Sequence, residues 1–313
     1  MATTKGIMGW VDLGGAAGLN GLRVTSCGLK ASQEVSTMDT IDSAYDYTAY
    51  RLGPVRIEGD LAFPIPVKNN KWDTLLEIAA KRDPLQGTLL TNNIDVTAAY
   101  DHQIAYRYGS CSVNTYSVSI SSEEAVEATM NVIGTEREPV GKVSIAEPSP
   151  ERVLTWNEVE VNAAGGMTPT GPSVTSFKSD QVKNFSFEIN NNTSVFFALN
   201  KSIFAVQKNI VAGKREVTGS IEISWNESGL ANHAYLANAK NGKDNCGSDQ
   251  YITVDLVGNC GASSPAQVKF WGIVYNMEEI SLTNDFFMGT QTWRAYGHSG
   301  NSYKAISLGG TAI

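Results

Sequence analysis

The chain has 313 residues, of which 42% are hydrophobic and 18% charged, as in globular proteins long enough for two ordinary domains. Its formal net charge is −8, which argues against a surface that grips nucleic acid, because such a surface needs clustered Lys and Arg. No run of about 18 apolar residues is present, so we expect no membrane insertion.

The cysteines and the first residues indicate the compartment. The N-terminal stretch lacks the apolar segment of a signal peptide, so we expect synthesis in the cytoplasm. Four scattered cysteines without a C-x-x-C pair favour free thiols: Cys27, Cys111, Cys246 and Cys260. The last two bracket one loop-rich segment and form the only pair worth testing for a disulfide.

Patterns of known catalytic sites are missing from the sequence. It has no G-x-S-x-G, H-E-x-x-H or Walker A motif, and its three histidines lie far apart. Adjacent carboxylates at 123–124 and 278–279 point to opposite faces of a strand or into solvent, unlike an acid and base pair. Three Asp residues within 39–46 miss the spacing of an EF-hand. We expect no enzyme, no metal and no cofactor.

The first half of the chain is predicted to begin with a flexible arm or loop over the Gly-rich residues 1–21. A strand at Leu22–Leu29 and a long loop at Gln33–Leu52 follow. Segment Gly53–Phe63 alternates apolar and polar residues, as a half-buried strand does. Gly59 falls on its apolar side, where a missing side chain lets another element approach closely.

A helix over residues 70–82 is predicted to cover this sheet, with one apolar face made of Trp72, Leu75, Leu76 and Ala79. Strands near 94–100 and 104–108 follow, and then a hairpin that turns at 121–124. The proline-bearing residues 141–154 are typical of a linker.

The second half repeats this order of elements. Gly213 and Gly219 follow Gly53 and Gly59 at one offset (213 − 53 = 160; 219 − 59 = 160). A long loop at Asn190–Ala212 precedes this strand. Further on come a helix at 230–240 and a strand at 251–257.

The closing strands of the two halves align at a slightly larger offset. Trp271-Gly272 matches Tyr108-Gly109 (271 − 108 = 163), and Trp293 matches Met130 (293 − 130 = 163). Chance strand patterns would not keep their phase through six elements, so the sequence predicts a tandem duplication.

These features resemble the major tail tube proteins of long-tailed bacteriophages. The resemblance is carried by the long loops before R-I-E-G-D-L and E-V-T-G-S-I, the helix behind each, the Y-G and W-G strands, and the closing hairpins. Segment 182–192 is similar to an early strand of that family. The resemblance implies a mainly β fold with two tandem tail-tube-type β-sandwich/β-barrel domains, each with one short helix and a long loop. We therefore expect a first domain at 22–140, a linker at 141–154, and a second domain with a C-terminal arm at 155–313. The N-terminal arm at 1–21 departs from the resemblance, which covers about 22–134 and 155–300.

The resemblance also implies a structural virion protein of the tail, assembled in the host cytoplasm. Two-domain members form stacked trimeric, pseudo-hexameric rings around an inner β-barrel, through which double-stranded DNA passes in transit. The implied partners are further copies of the chain and the tape measure, terminator and distal tail proteins.

The long loops are the candidate interfaces between subunits and rings, because their apolar side chains would form a large patch in water. The candidate residues are Met38, Ile41, Tyr45, Tyr47, Tyr50, Phe196, Phe197, Leu199, Ile203, Phe204 and Val206.

An acidic channel wall is expected because a basic wall would hold DNA. Its candidate residues are Glu58, Asp60, Glu123, Glu124, Glu127 and Glu222. The alternative is that these carboxylates face outward and only promote solubility.

Two other functions fit the sequence. One is a monomeric carbohydrate-binding or adhesive β-sandwich module whose tyrosines, such as Tyr45, Tyr47 and Tyr50, stack on sugars. The other is a tail-tube initiator or distal tail protein.

Overall fold

The computed structural model describes residues 9–15, 19–38, 49–67, 71–80, 94–99, 105–140, 152–164, 182–198, 207–224, 251–256, 267–275, 279–282, 287–297, 304–309 and 311–313. Apart from one helix and one 3₁₀ turn at Trp156–Glu158, the regular elements in these ranges are β-strands, which confirms the expected mainly β fold. The described strands form sheets that do not close into a barrel.

The elements in chain order are β1 (Gly9–Gly15), β2 (Leu19–Val24), β3 (Ser26–Cys27), β4 (Lys30–Met38), β5 (Ala49–Pro64), α1 (Lys71–Ala80), β6 (Ile94–Ala99), β7 (Ala105–Ser121), β8 (Glu127–Gly134), β9 (Glu136–Val140), β10 (Val159–Ala164), β11 (Val182–Asn190), β12 (Thr193–Ala198), β13 (Gln207–Ala212), β14 (Glu216–Ser224), β15 (Tyr251–Leu256), β16 (Gln267–Trp271), β17 (Ile273–Tyr275), β18 (Glu279–Leu282), β19 (Phe287–Ala295), β20 (Ile306–Leu308) and β21 (Thr311–Ala312).

One antiparallel sheet unites the two halves of the chain. Its strands follow the order β4, β5, β8, β7, β11, β14 and β19. At one edge β3 also pairs with β5, and at the other edge β17 and β18 both pair with β19. The halves meet where β7 pairs with β11, with Val118 opposite Phe187. We call this pairing the internal junction.

A second layer covers the apolar face of this sheet. In the first half it has the order β2, β1, β6, β7 and β9, and in the second half β10, β15, β16, β20 and β21. The flexible arm or loop expected over residues 1–21 is therefore wrong for 9–15 and 19–21, which are strand. The many glycines made the alternation of apolar residues in this segment hard to recognise, but β1 has an apolar face on which Val11 and Leu13 are completely buried.

Helix α1 lies in a core shared by both halves. Its predicted apolar face is buried, which confirms the helix, and the Trp72 ring meets the Phe187 ring edge-on with centroids 6.3 Å apart. A single cluster of buried apolar side chains extends from Val11 to Ile313. The second predicted helix, 230–240, lies outside the described residues.

The two long loops are β-hairpins over much of their length. Strands β4 and β5 pair out to Met38 opposite Ala49, and β12 pairs with β13 from Thr193 opposite Ala212. Their backbone groups bond across each hairpin, which lets the chain extend beyond the sheet. We call β4–β5 beyond Gln33 the first arm and β12–β13 the second arm; their tips, 39–48 and 199–206, lie outside the described residues.

The end of the predicted linker belongs to the first half. Leu154 is buried; its N–H donates to the Ile65 carbonyl at 2.8 Å, and its carbonyl accepts from Val126 N at 2.8 Å. Residues 152–155 thus extend the sheet beside β5 and β8 rather than forming a free connection. Residues 141–151 lie outside the described residues.

The pairing register of the first half recurs in the second. Ala31 lies opposite Ile57 as Ile189 lies opposite Val217 (189 − 31 = 158; 217 − 57 = 160). The shift in register after Gln33 recurs as well, since Val35 opposite Leu52 becomes Thr193 opposite Ala212.

The last strands keep this correspondence at offsets of 161 and 162. Val132 lies opposite Gly59 as Trp293 lies opposite Gly219 (293 − 132 = 161). The predicted match of Trp293 with Met130 is therefore wrong by two residues. Because side chains alternate with a period of two, a slip of two residues leaves the apolar face unchanged, and the sequence pattern does not reveal it.

The turn from one layer to the other recurs too. Ser110 and Gly272 both have positive φ, 52° and 60°, each just before the chain enters the large sheet. The offset is 272 − 110 = 162, so Gly272 corresponds to Ser110 and not to the predicted Gly109.

Candidate assembly and channel surfaces

The face of the large sheet that points away from the core is polar across both halves. A row that crosses five neighbouring strands consists of Glu127, Ser119, Ser186, Ser220 and Thr292. Short hydroxyl side chains occupy these alternate positions because the other positions of each strand fill the core. We call this surface the polar face.

The polar face carries an open concavity of about 750 Å³ over the internal junction. Strands β7, β8, β11, β14 and β19 all contribute to it. The Ser186 and Ser220 hydroxyls lie 2.8 Å apart within it. Its lining combines serine and threonine residues with the charged Glu127, Glu188 and Arg294 and with larger residues such as Val274 and Tyr296.

Four of the six predicted acidic channel residues stand on the polar face: Glu58, Asp60, Glu127 and Glu222. Glu123 and Glu124 do not, because they occupy the predicted turn between β7 and β8, at the end of the sheet. Glu188 and Glu216, which we did not predict, also stand on this face. The strict alternation of apolar and polar residues along β11 and β14 would have predicted that both glutamates stand on the polar face.

Neutral amides hold two of these carboxylates in place. Asn131 Nδ2 donates to Asp60 Oδ1 at 2.7 Å, and the Asn184 amide donates to the Glu222 carboxylate. An amide donor orients a carboxylate without supplying a positive charge beside it.

Basic residues are fewer on this face. Lys30, Arg56 and Arg294 occupy its register positions, against the six carboxylates named above. Arg294 Nη2 lies 3.6 Å from Glu216 Oε2, and both side chains are about half exposed. The carboxylates therefore outnumber the cations at these register positions, and Glu216 is paired with Arg294.

The arms expose large apolar side chains. Val35 and Leu52, directly opposite each other in the first arm, are 56% and 54% exposed, and Phe196 and Val211 in the second arm are 60% and 49% exposed. Among these four, Phe196 is a predicted interface residue and the other three are not. Three more predicted interface residues, Met38, Tyr50 and Phe197, stand on arm strands. Ile41, Tyr45, Tyr47, Leu199, Ile203, Phe204 and Val206 lie outside the described residues.

The base of the second arm is fixed to the first half. The buried Asn191 donates through Nδ2 to the carbonyls of Ala79 at 2.7 Å and Val113 at 3.2 Å. Arg215 donates to the Ala80 carbonyl at 2.6 Å and to the Ile313 carbonyl at 2.8 Å. The last carbonyls of a helix have no partner within it, so these two side chains cap α1 and tie the halves together.

The described residues contain no His, Cys, Asp and Glu group that could hold a metal ion, and no helix in these ranges is long and apolar enough to span a membrane. Cys27 and Cys111 are reduced thiols, and burial raises the pKa of Cys111 to about 12. Cys246 and Cys260 lie outside the described residues.

Comparison with known proteins identifies the family of the chain. The family described as Phage tail tube protein matches residues 3–268, a range that includes β1 to β15 and the internal junction. No curated protein matches the chain. Because the family match covers most of the chain and strands of both halves, this protein belongs to the phage tail tube family and is a structural component of the phage tail.

Proposed function

We propose that this tail tube protein assembles as stacked trimeric rings with pseudo-sixfold symmetry, and that the polar face lines the channel through which DNA leaves the virion. Each chain would contribute two tube repeats, one from each half. The observation that carries the proposal is the recurrence of one pairing register across both halves.

Support for two repeats comes from corresponding contacts as well as strand order. Gly53 and Gly213 each lie against the opposite arm strand, where an added Cβ would come 3.2 Å from the Glu34 carbonyl oxygen and 2.8 Å from that of Asn192. A three-subunit ring built from such chains has six similar wall segments, which closes the sheet and removes exposed edges.

The arms support stacking between rings. The exposed side chains of Leu52, Phe196 and Val211 would be covered if each arm reached a neighbouring ring, and burial of apolar surface favours association by about 25 cal/mol per Å². The polar face supports a channel for DNA, because a wall of hydroxyls with more carboxylates than cations would not bind phosphates tightly.

Negative-stain electron microscopy of the purified protein, together with light scattering, tests the assembly. We expect rings of three chains and tubes of stacked rings. Compact monomers at high concentration would contradict the proposal and favour the carbohydrate-binding alternative, whereas single rings that never stack would favour an initiator or distal tail protein.

The proposed partners are other copies of the chain, the tape measure, terminator and distal tail proteins, and DNA in transit, with assembly in the host cytoplasm. Co-expression with a tape measure protein should restrict tube length. Tubes of unrestricted length in its presence would contradict that partnership.

A further inference from the structure

The large sheet has two outer edges that lack a neighbour among the described strands. At one edge β3 and β4 pair only with β5, and at the other β17 and β18 pair only with β19. Ser26, Gly28, Lys30 and Ser32 along the first edge are exposed. Edges of this kind present backbone N–H and C=O groups that can pair with another chain.

The internal junction shows which strands these edges correspond to. The pairing register shows that β3 and β4 correspond to β11. Lys30 lies opposite Glu58 in the first half, and Glu188 lies opposite Thr218 in the second, at offsets of 158 and 160 (188 − 30 = 158; 218 − 58 = 160). Strand β18 corresponds to β7, since Ser117 opposite Thr129 becomes Glu279 opposite Thr290 (279 − 117 = 162; 290 − 129 = 161). The two outer edges are thus the counterparts of the two strands that already pair within the chain.

We propose that β18 of one copy pairs with β3–β4 of the next copy in the register of the internal junction. Within the chain, Ser117 lies opposite Glu188 and Ile120 opposite Phe185. Applying the two offsets places Glu279 opposite Lys30 (117 + 162 = 279; 188 − 158 = 30) and Leu282 opposite Cys27 (120 + 162 = 282; 185 − 158 = 27). This inference rests on the proposed ring and specifies how its subunits join.

Charge at this register favours pairing between copies. At the internal junction Ser117 lies opposite Glu188, whereas the intermolecular register places an acidic residue, Glu279, at the position opposite a basic one, Lys30. Opposite charges at directly opposed positions stabilise an antiparallel pair, and like charges destabilise it.

Exposure along the edges points to the same partner. Ser112 is fully buried and Thr193 is 8% exposed beside the internal junction, where the Thr193 hydroxyl lies 3.3 Å from the Val113 carbonyl oxygen. Their counterparts at the outer edges are apolar and exposed: Val274 at 48% and Val35 at 56% (274 − 112 = 162; 193 − 35 = 158). Pairing between copies would cover both valines.

A disulfide scan tests the register, because directly opposed residues of an antiparallel pair have Cα atoms close enough for a disulfide. Leu282→Cys supplies a partner for the native Cys27. After mild oxidation of assembled protein, non-reducing gels should show covalent species that end at three chains, since a closed ring has no free edge. Ser281→Cys, which lies one residue out of register, should give no covalent species. Leu282→Cys combined with Cys27→Ser should also give none, which excludes disulfides between the introduced cysteine and the other native cysteines.

A second pair keeps the test decisive if Leu282→Cys prevents assembly. Lys30→Cys with Glu279→Cys, in the Cys27→Ser background, should also cross-link into trimers. Tubes that form normally but cross-link in neither pair, or that cross-link only through Ser281→Cys, would overturn the proposed register and leave the tail tube assembly intact. Failure of the wild-type protein to form rings would instead contradict the proposed function.

Discussion

Two glycines at corresponding positions show how single residues fix the packing of the large sheet. A Cβ added to Gly59 would collide with the backbone of Gly28, and one added to Gly219 would collide with the Ser186 carbonyl oxygen and the Trp293 ring. The close approach predicted from the position of Gly59 on the apolar side of its strand is therefore confirmed.

Gly59→Ala and Gly219→Ala should each destabilise the protein by about 3 kcal/mol, because backbone atoms cannot move aside as a flexible side chain can. Urea unfolding of the monomer measures this difference. Gly14→Ala is the matched control on a strand, since its added Cβ would lie 3.6 Å from the Asp95 carbonyl oxygen, an ordinary contact. Equal midpoints for Gly59→Ala and Gly14→Ala would contradict the packing argument.

The Cys111 thiol makes stability depend on pH in the alkaline range. Burial raises its pKa from the ordinary value of 9.0 to about 12. Between these values the unfolded thiol ionises and the folded one does not, so the free energy of unfolding should be fully present below pH 9 and fall as the pH rises through this window. The slope is at most about 1.4 kcal/mol per pH unit.

Urea midpoints measured at about pH 8 and about pH 11 check this expectation, with Cys111→Ala as the control. The variant should be less stable than the wild type at both pH values, but its free energy of unfolding should fall less on going to high pH.

Replacing any of the four cysteines with Ser should still permit assembly, because no disulfide is expected to hold the fold. Assembly that fails only under reducing conditions would contradict that expectation.

The arms are the elements whose sequence was easiest to misjudge. Segments Gln33–Leu52 and Asn190–Ala212 are predicted as loops, yet the described strands within each segment pair antiparallel and carry exposed apolar side chains. Their strand alternation is weak because neither arm has a core face to fill, so burial does not impose a period of two.

Phe196→Asp should abolish tube formation and leave monomer stability nearly unchanged, because the side chain is 60% exposed in the single chain. Electron microscopy measures tubes, and thermal unfolding measures stability. Trp156→Asp is a matched control, since Trp156 is an exposed aromatic outside the arms, at 45%. Normal tubes formed by Phe196→Asp would show that the second arm is not the joint between rings.

At the scale of the whole molecule, charge on the polar face should govern contact with DNA. Glu188→Lys with Glu222→Lys replaces two carboxylates of this face by cations, changing the formal charge of each chain by +4 and of a ring of three by +12 (3 × 4 = 12). Assembled tubes of this variant should acquire binding to short double-stranded DNA that weakens steeply with salt. Wild-type tubes should bind little.

The control places the same charges off the polar face. Glu123→Lys with Glu124→Lys changes the net charge equally but lies in the β7–β8 turn. If this control binds DNA as strongly as the Glu188 and Glu222 variant, the carboxylates act through net charge and the polar face is not the channel wall.

The sequence alone determined the class of fold, helix α1, most strand positions and the family, because alternation and helical spacing follow directly from which residues must be buried. It also located four of the carboxylates on the polar face through their phase with Val55 and Ile57 in β5 and the matching strands.

Only the tertiary structure decided the pairing partners. It showed β1 as a strand of the second layer, the arms as hairpins, and β7 against β11 as the junction of the halves. It also corrected the match of Trp293 by two residues. Hydrogen bonds between strands join residues that are distant in sequence, so local alternation does not determine which strands are neighbours. A pattern with a period of two is also unchanged by a shift of two residues. Alternation therefore determines which face of a strand is buried but leaves its neighbour and its register undetermined.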